Sequence, residues 1–170
     1  MKSVLISIQP KWCELIASGK KTVEVRKTCP KLETPFKVNI YCTQGLFKDL
    51  GVIGNEMYQK RMKVIGEFVC DKIVEFENSI YDEALRETVA RSCVPMYDLL
   101  VYLGKQDYGF GWHISDLVIY DQPKELSEFC SYDARIRVGE NFYPMPTHEI
   151  TRPPQSWCYV KGGECDGTIH

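Results

Sequence analysis

Hydrophobic and polar positions in this chain alternate mainly with a period of two, which is typical of β-strands. Residues 4–9, 36–43 and 155–160 show this alternation. Residues 64–76 show it over the longest stretch, and Gly66 interrupts that stretch where we expect a β-bulge or a bend. The pattern therefore predicts a mostly β fold with up to seven strands.

Three segments carry the helical period instead. Residues 10–18 begin with Pro10, which suits a first helical position, and are followed by Gly19, which suits the left-handed residue after a helix. Residues 79–93 and 96–103 predict two further helices that serve for packing. Residues 107–112 and 129–154 are predicted to be loop or irregular structure. Residues 44–63 show no sustained period and predict a long excursion with one short helix.

The segment from Gly19 to Arg26 concentrates charge at the point where the helical period changes to two. Val23 and Val25 are predicted to point into the core, and Thr22, Glu24 and Arg26 then share the opposite face of the strand. The Lys21 side chain is long enough to reach that face. These groups form either a solvated surface ion pair, which contributes little to stability, or one wall of a binding site.

The same segment fits the pattern Gly-x-Lys-x-x-Glu-x-Arg and resembles the ASCH family of the PUA-like superfold. The lead-in Ser7-Ile8-Gln9-Pro10, Trp12 and the later run Gly111-Trp112-His113-Ile114-Ser115 are also similar to this family. The resemblance implies an α+β fold, mostly β with helices, built on a small PUA-like β-barrel. It also implies a cleft, lined by the motif, that binds RNA or a nucleotide.

Length and composition predict one ordinary globular domain. A chain of 170 residues with 44% hydrophobic and 26% charged residues supports a single core, which we place at residues 1–163, with a mobile tail at residues 164–170. No apolar stretch suggests a signal peptide or a membrane span. The eight cysteines have irregular spacing, which favours free thiols in the cytoplasm over a disulfide framework. We predict no metal site and no cofactor.

Charge is distributed unevenly along the chain. Residues 1–48 hold nine basic and three acidic residues, whereas the whole chain has a net charge of −2. A basic face around the motif on an otherwise acidic body is typical of selective phosphate or anion recognition. The alternative is a chance asymmetry on a solvated surface. We therefore predict RNA or a nucleotide as the partner and expect no membrane association.

The candidate site combines the motif with residues that can contact a base. Arg26 offers a bidentate fork, Lys21 a point charge and Glu24 an acceptor for an exocyclic amine. Trp112 and Trp157 are candidate stacking platforms, although a buried tryptophan in the core is the more common outcome. The predicted ligand-binding residues are Ser7, Gln9, Trp12, Lys20, Lys21, Thr22, Glu24, Arg26, Trp112, His113 and Trp157.

A hydrolase is the alternative function, with Lys21 and Glu24 as the acid and base groups. The resemblance extends to a small amidohydrolase that deacetylates N4-acetylcytidine, in which a lysine and a threonine of this segment carry the reaction. That lysine corresponds to Lys21, but Glu24 occupies the position of the threonine. Some members of the family are ribonucleases, and this activity is the second form of the alternative.

Overall fold

The computed structural model describes residues 2–132, 135–144 and 148–161. The predicted tail at residues 164–170 lies outside this part of the chain. The described helices are α1 (Pro10–Ala17), α2 (Asn55–Gln59), α3 (Glu83–Ser92) and α4 (Met96–Leu103), with short 3-10 helices at Phe47–Val52 and Leu126–Glu128. The described strands are β1 (Lys2–Ile8), β2 (Val23–Arg26), β3 (Phe36–Cys42), β4 (Lys63–Cys70), β5 (Ile73–Glu77), β6 (Tyr108–His113), β7 (Ser115–Lys124), β8 (Cys130–Ser131), β9 (Arg135–Val138), β10 (Asn141–Pro144) and β11 (Trp157–Lys161).

The strands form two sheets and a hairpin. The large sheet has six strands in the order β7-β4-β3-β1-β11-β8, in which β1 runs parallel to β3 and the other neighbours are antiparallel. The small sheet has three antiparallel strands in the order β2-β6-β5, and β9 pairs with β10. The predicted mixed, mostly β architecture is confirmed. The described strands do not close into a barrel, so barrel closure stays a prediction.

The main core lies between the two sheets. Val4, Ile6 and Ile8 of β1 pack into it together with Trp112 of the small sheet, which is fully buried. Leu5 belongs to a second cluster on the opposite face of the large sheet. Strand β1 is therefore covered on both faces, which is why its sequence is almost continuously apolar.

Two helices cover the outer face of the small sheet. Asp82 caps the N-terminus of α3 by accepting a hydrogen bond from the Leu85 N–H at 2.7 Å. Leu85, Leu99 and Leu103 from the two helices pack on Phe76 in a third cluster. Residues 79–93 and 96–103 thus form the predicted packing helices, although the first one begins later than expected.

The structure differs from the predicted strand pattern at residues 64–76 and 129–154, and also at residues 107–112. Residues 64–76 form two strands in different sheets, because the chain turns at Asp71 and Lys72. Residues 129–154, predicted to be irregular, contain β8, β9 and β10. The limit of seven strands was therefore wrong. These strands are short and close to prolines, so their alternation is too brief to stand out in the sequence.

Glycines explain two local features of the sheets. A Cβ on Gly66 would lie 2.3 Å from the Val118 carbonyl oxygen, and the pairing between β4 and β7 shifts register there, so the predicted bulge is confirmed. Residues 107–112 were predicted to be a loop, but most of them form β6. A Cβ on Gly109 would lie 2.6 Å from the Phe76 ring, so glycine here allows close packing within a strand.

Candidate functional site

The motif begins just after α1 and continues through β2, a strand of the small sheet. Helix α1 ends before Gly19, whose φ of +73° turns the chain, and Lys21 then enters the interior. The Thr22 carbonyl accepts a hydrogen bond from the Ile114 N–H at 2.9 Å, which joins the residue before β2 to the residue between β6 and β7. The local sequence thus places the motif at the junction between the two sheets.

Lys21, Glu24 and Arg26 form a buried ion cluster, which we call the motif triplet. Lys21 Nζ lies 3.2 Å from Glu24 Oε2, and Arg26 Nη2 lies 2.8 Å from Glu24 Oε1. Only 1%, 7% and 9% of the lysine, glutamate and arginine side chains is exposed. The three side chains converge as the alternation predicts, and the surrounding protein covers them closely.

Backbone and hydroxyl oxygens from distant segments complete the motif triplet. Lys21 Nζ donates to the Ser92 carbonyl at the end of α3, at 2.8 Å. Arg26 Nη2 donates to the Ser7 carbonyl of β1 at 2.7 Å, and Nη1 donates to Ser156 Oγ at 3.3 Å. Charge-assisted hydrogen bonds of this kind offset part of the cost of burying the charges. The motif triplet therefore connects α3, the small sheet and the large sheet.

Two buried N–H groups beside the motif triplet have no acceptor among the described residues. They are Arg26 Nε and Trp112 Nε1. Trp112 pairs with Glu24 across β2 and β6, and its ring packs edge-on against Phe36 and Trp157 at centroid distances of 6.0 and 5.9 Å. Buried polar groups are usually hydrogen-bonded, so these two donors are among the exceptions in the described part of the chain.

Two half-exposed aromatic side chains flank the motif triplet. The Trp12 ring lies 5.4 Å from Lys21 Nζ. Tyr102 of α4, which is 42% exposed, interacts electrostatically with Arg26 and Glu24, and burial of its hydroxyl raises its pKa. Trp12 was predicted from the sequence, whereas Tyr102 was not, because the helical period marks α4 only as a packing element.

The other predicted residues near the motif have mixed environments. Ser7 Oγ donates to the Pro154 carbonyl at 2.7 Å and so holds the segment before β11. Gln9 is the N-cap residue of α1 and is half-buried, and its side chain makes no capping bond. Lys20 is exposed. Thr22 Oγ1 accepts a hydrogen bond from Arg91 Nε at 3.4 Å, so it faces α3 and not the motif triplet.

His113 belongs to a separate polar cluster on the α3 side of the small sheet. Its Nδ1–H donates to Asp71 Oδ1 at 2.6 Å, while Arg91 Nη2 donates to its Nε2. Because arginine can only donate, Nε2 must be the acceptor, and this assigns the neutral tautomer with a proton on Nδ1. The hydrogen bond from His113 lowers the pKa of the Asp71 carboxyl. His113 and Trp112 thus point to opposite faces of β6.

Trp157 lies at the start of β11, next to Ser156. Its indole N–H donates to Thr28 Oγ1 at 3.1 Å, and its ring packs edge-on against Tyr159 at a centroid distance of 5.3 Å. It is half-buried, unlike Trp112. Of the two predicted stacking platforms, Trp157 therefore offers ring surface to solvent and Trp112 belongs to the core.

Several residues that contact the motif triplet could not be predicted from the sequence. Ser92 contributes its carbonyl oxygen, which any residue could supply, and Ser156 lies in a proline-rich segment far from the motif along the chain.

No group of three or more His, Cys, Asp or Glu side chains in residues 2–132, 135–144 and 148–161 is arranged to hold a metal ion. Within the same ranges, no helix is long and apolar enough to cross a bilayer.

The fold and the motif triplet together define an α+β domain with a buried charge cluster between two sheets. Comparison with protein-family models finds no match, and comparison with curated protein sequences finds none either. Solved structures do match. The crystal structure of ASCH from Zymomonas mobilis has 18% identity and a TM-score of 0.57, over 94% of this chain and 88% of that one.

Two variants of the same Zymomonas mobilis protein give similar results. A tyrosine-to-phenylalanine variant has 19% identity and a TM-score of 0.61, over 95% of this chain and 92% of that one. A serine-to-alanine variant has 18% identity and a TM-score of 0.60, over 94% and 89%. Likeness at these identities concerns the fold. The chain therefore has an ASCH-type fold, and the resemblance seen in the motif is confirmed at that level.

Replacing Glu24 with glutamine tests the burial of the motif triplet. Glu24→Gln leaves the Lys21 and Arg26 charges buried without a counter-charge, and removing one partner of a buried ion pair costs about 3–5 kcal/mol. We expect a loss of this size in the free energy of unfolding, measured by urea denaturation. Glu56→Gln is the matched control and should change little, because it removes the Glu56–Lys60 pair at a carboxylate that is 84% exposed. Equal effects of the two substitutions would contradict the buried triplet.

The bond between Asp71 and His113 predicts a pH-dependent contribution to stability. A carboxyl group with a lowered pKa in the folded state stabilises the fold above its unfolded pKa, and the contribution is lost as pH falls through the folded pKa. We therefore expect Asp71→Asn to reduce the free energy of unfolding more at about pH 6 than at about pH 3. The difference between the two pH values should disappear in a His113→Ala background. If Asp71→Asn has the same effect at both pH values, or if the pH dependence persists in the His113→Ala protein, the Asp71–His113 bond is not the source of the effect.

Proposed function

We propose that this chain is an RNA- or nucleotide-binding protein with an ASCH-type fold and that its binding surface is centred on the motif triplet. The pair of buried donors, Arg26 Nε and Trp112 Nε1, carries the proposal. A buried donor without an acceptor costs about 1–3 kcal/mol, so a ligand oxygen that reaches it gains more than it would at an exposed group.

Charge favours a ligand rich in acceptors. Two cations and one carboxylate give the motif triplet a net positive charge, and the first 48 residues of the sequence, which include the motif, are net basic. Phosphate oxygens and base carbonyls are strong acceptors for guanidinium and indole N–H groups. An anionic nucleotide fits this combination better than a neutral or cationic ligand does.

The edge of the site supplies groups that a ligand can contact before it reaches the buried donors. Trp12 and Tyr102 are half-exposed aromatic side chains, and the Lys27 amine lies 5.2 Å from the Tyr102 ring. Aromatic surfaces stack on unpaired bases, and lysines attract the backbone. The proposed ligand is therefore single-stranded RNA or a nucleotide derived from it.

Hydrolysis is the second candidate, because Lys21 and Glu24 are close enough to exchange a proton. Lys21 donates to Glu24 and to the Ser92 carbonyl and its side chain is 1% exposed, so the protein itself surrounds the amine that a substrate would have to reach. Glu24 also replaces the nucleophilic threonine that the family resemblance would require. We therefore rank binding above hydrolysis. Release of acetate from N4-acetylcytidine, or cleavage of labelled RNA, by wild type but not by Lys21→Met would reverse this order.

Fluorescence anisotropy with a labelled single-stranded RNA of about ten nucleotides tests the binding function. Lys20 is exposed next to the motif, so Lys20→Ala can weaken binding without disturbing the buried charges. We expect an affinity loss of about threefold to tenfold at low salt. We also expect the slope of log affinity against log salt concentration (the salt slope) to fall by about one in magnitude.

Lys124→Ala is the matched control, because Lys124 ends the edge strand β7 of the large sheet. The control should retain wild-type affinity and salt dependence. Failure of the wild type to bind the RNA, or equal losses in the two variants, would contradict the proposed function.

A further inference from the structure

A second feature of the molecule is a cleft of about 600 Å³ beside β11. It lies between the segment at residues 148–154 and the strand itself, and Ser131, His148, Arg152, Pro154, Trp157 and Tyr159 contribute to its walls. This volume falls in the range of pockets that hold small ligands. Of the residues predicted as ligand-binding from the sequence, Trp157 is the one that lines it.

The aromatic wall of the cleft is held in place on two sides. Trp157 is fixed by its hydrogen bond to Thr28, and the Tyr159 hydroxyl accepts a hydrogen bond from the Lys31 N–H at 2.7 Å. The two rings meet at an interplanar angle of 76°. Rings fixed in this way lose little conformational entropy when a planar ligand packs against them, which favours binding.

Polar groups stand opposite this wall. Arg152 is exposed and has no hydrogen bond or ion pair with any residue that the structure describes. His148 is also exposed, and its Nδ1 lies 3.1 Å from Ser131 Oγ. An unengaged guanidinium is suited to bind phosphate with two parallel hydrogen bonds. The Glu149 carboxylate also lines the cleft but forms no ion pair with Arg152, so the cleft combines a site for a flat apolar group with a guanidinium that is available to an anion.

The motif triplet supports the same wall from behind. Arg26 Nη1 donates to Ser156 Oγ, Ser7 Oγ donates to the Pro154 carbonyl, and the Ser7 N–H donates to the Ser156 carbonyl at 2.9 Å. Pro154 and Trp157, which line the cleft, therefore flank residues that the motif and β1 hold fixed. The buried charges position the wall, and the cleft provides the accessible surface.

We propose that this cleft binds one unpaired nucleotide, with the base against Trp157 and the 5′-phosphate on Arg152. The inference rests on the proposed function and assigns a subsite to it. Double-stranded RNA does not fit, because its bases are paired and stacked and cannot enter a cleft of this size. Either a nucleotide within a single strand or a free nucleoside monophosphate can supply this chemistry.

The test compares Arg152→Ala and Trp157→Phe with wild type in binding to a single-stranded RNA that contains one 2-aminopurine. Arg86→Ala is the matched control, because Arg86 is an exposed arginine of α3. We expect each cleft variant to lose about fivefold to tenfold in affinity, and Arg152→Ala also to reduce the salt slope by about one. The control should stay within about twofold of wild type. Circular dichroism and thermal unfolding verify that the variants are folded.

Different outcomes separate the subsite from the proposed function. If wild type binds RNA and the cleft variants bind equally well, the subsite is wrong and the proposed function stands. If wild type binds no RNA, the proposed function fails. Binding of an RNA duplex of the same sequence as tightly as the single strand would overturn the subsite. If adenosine 5′-monophosphate competes fully with the RNA, the ligand of the cleft is a free nucleotide. If it competes weakly, the ligand is a nucleotide within a strand.

Discussion

The fold and the candidate site both depend on the motif triplet, the ion cluster buried where the two sheets meet. Burying ions costs several kcal/mol each unless good geometry and additional hydrogen bonds offset it. Here the offset comes from acceptors in three distant segments, which are the carbonyl oxygens of Ser7 and Ser92 and the hydroxyl of Ser156. A short charged motif thereby links the small sheet to the large sheet and to α3, beside the apolar core that lies between the sheets.

This arrangement limits what the motif side chains present at the surface. Side chains that are more than nine-tenths buried do not present a broad charged floor to a ligand. They provide a positive charge beneath the surface, and Arg26 supports the segment before β11 through Ser156. In the proposed function, the residues that a ligand would meet first are exposed or half-exposed ones such as Lys20, Trp12 and Trp157. Preorganisation of this kind favours binding because little ordering is left to be done when the ligand arrives.

Much of the local structure could be predicted from the sequence, because local signals determine it. Pro10 and Gly19 bound α1, and the alternation after Thr22 predicts that Glu24 and Arg26 share a face. Their burial could not be predicted, since a strand pattern shows which side chains share a face and not what covers it. The cover comes from Ser156, 130 residues further along the chain than Arg26. Trp112 was assigned to a loop because its glycine neighbours resemble a turn, whereas they allow close packing inside β6.

Nuclear magnetic resonance of the side-chain N–H groups tests the central claim most directly, because the Arg26 Nε–H and Trp112 Nε1–H give separate signals. The chain has three tryptophans, so the indole signals can be assigned with single Trp→Phe variants. The account predicts that adding single-stranded RNA shifts both signals downfield as the two donors gain acceptors. Binding of the RNA with both signals unchanged would contradict it.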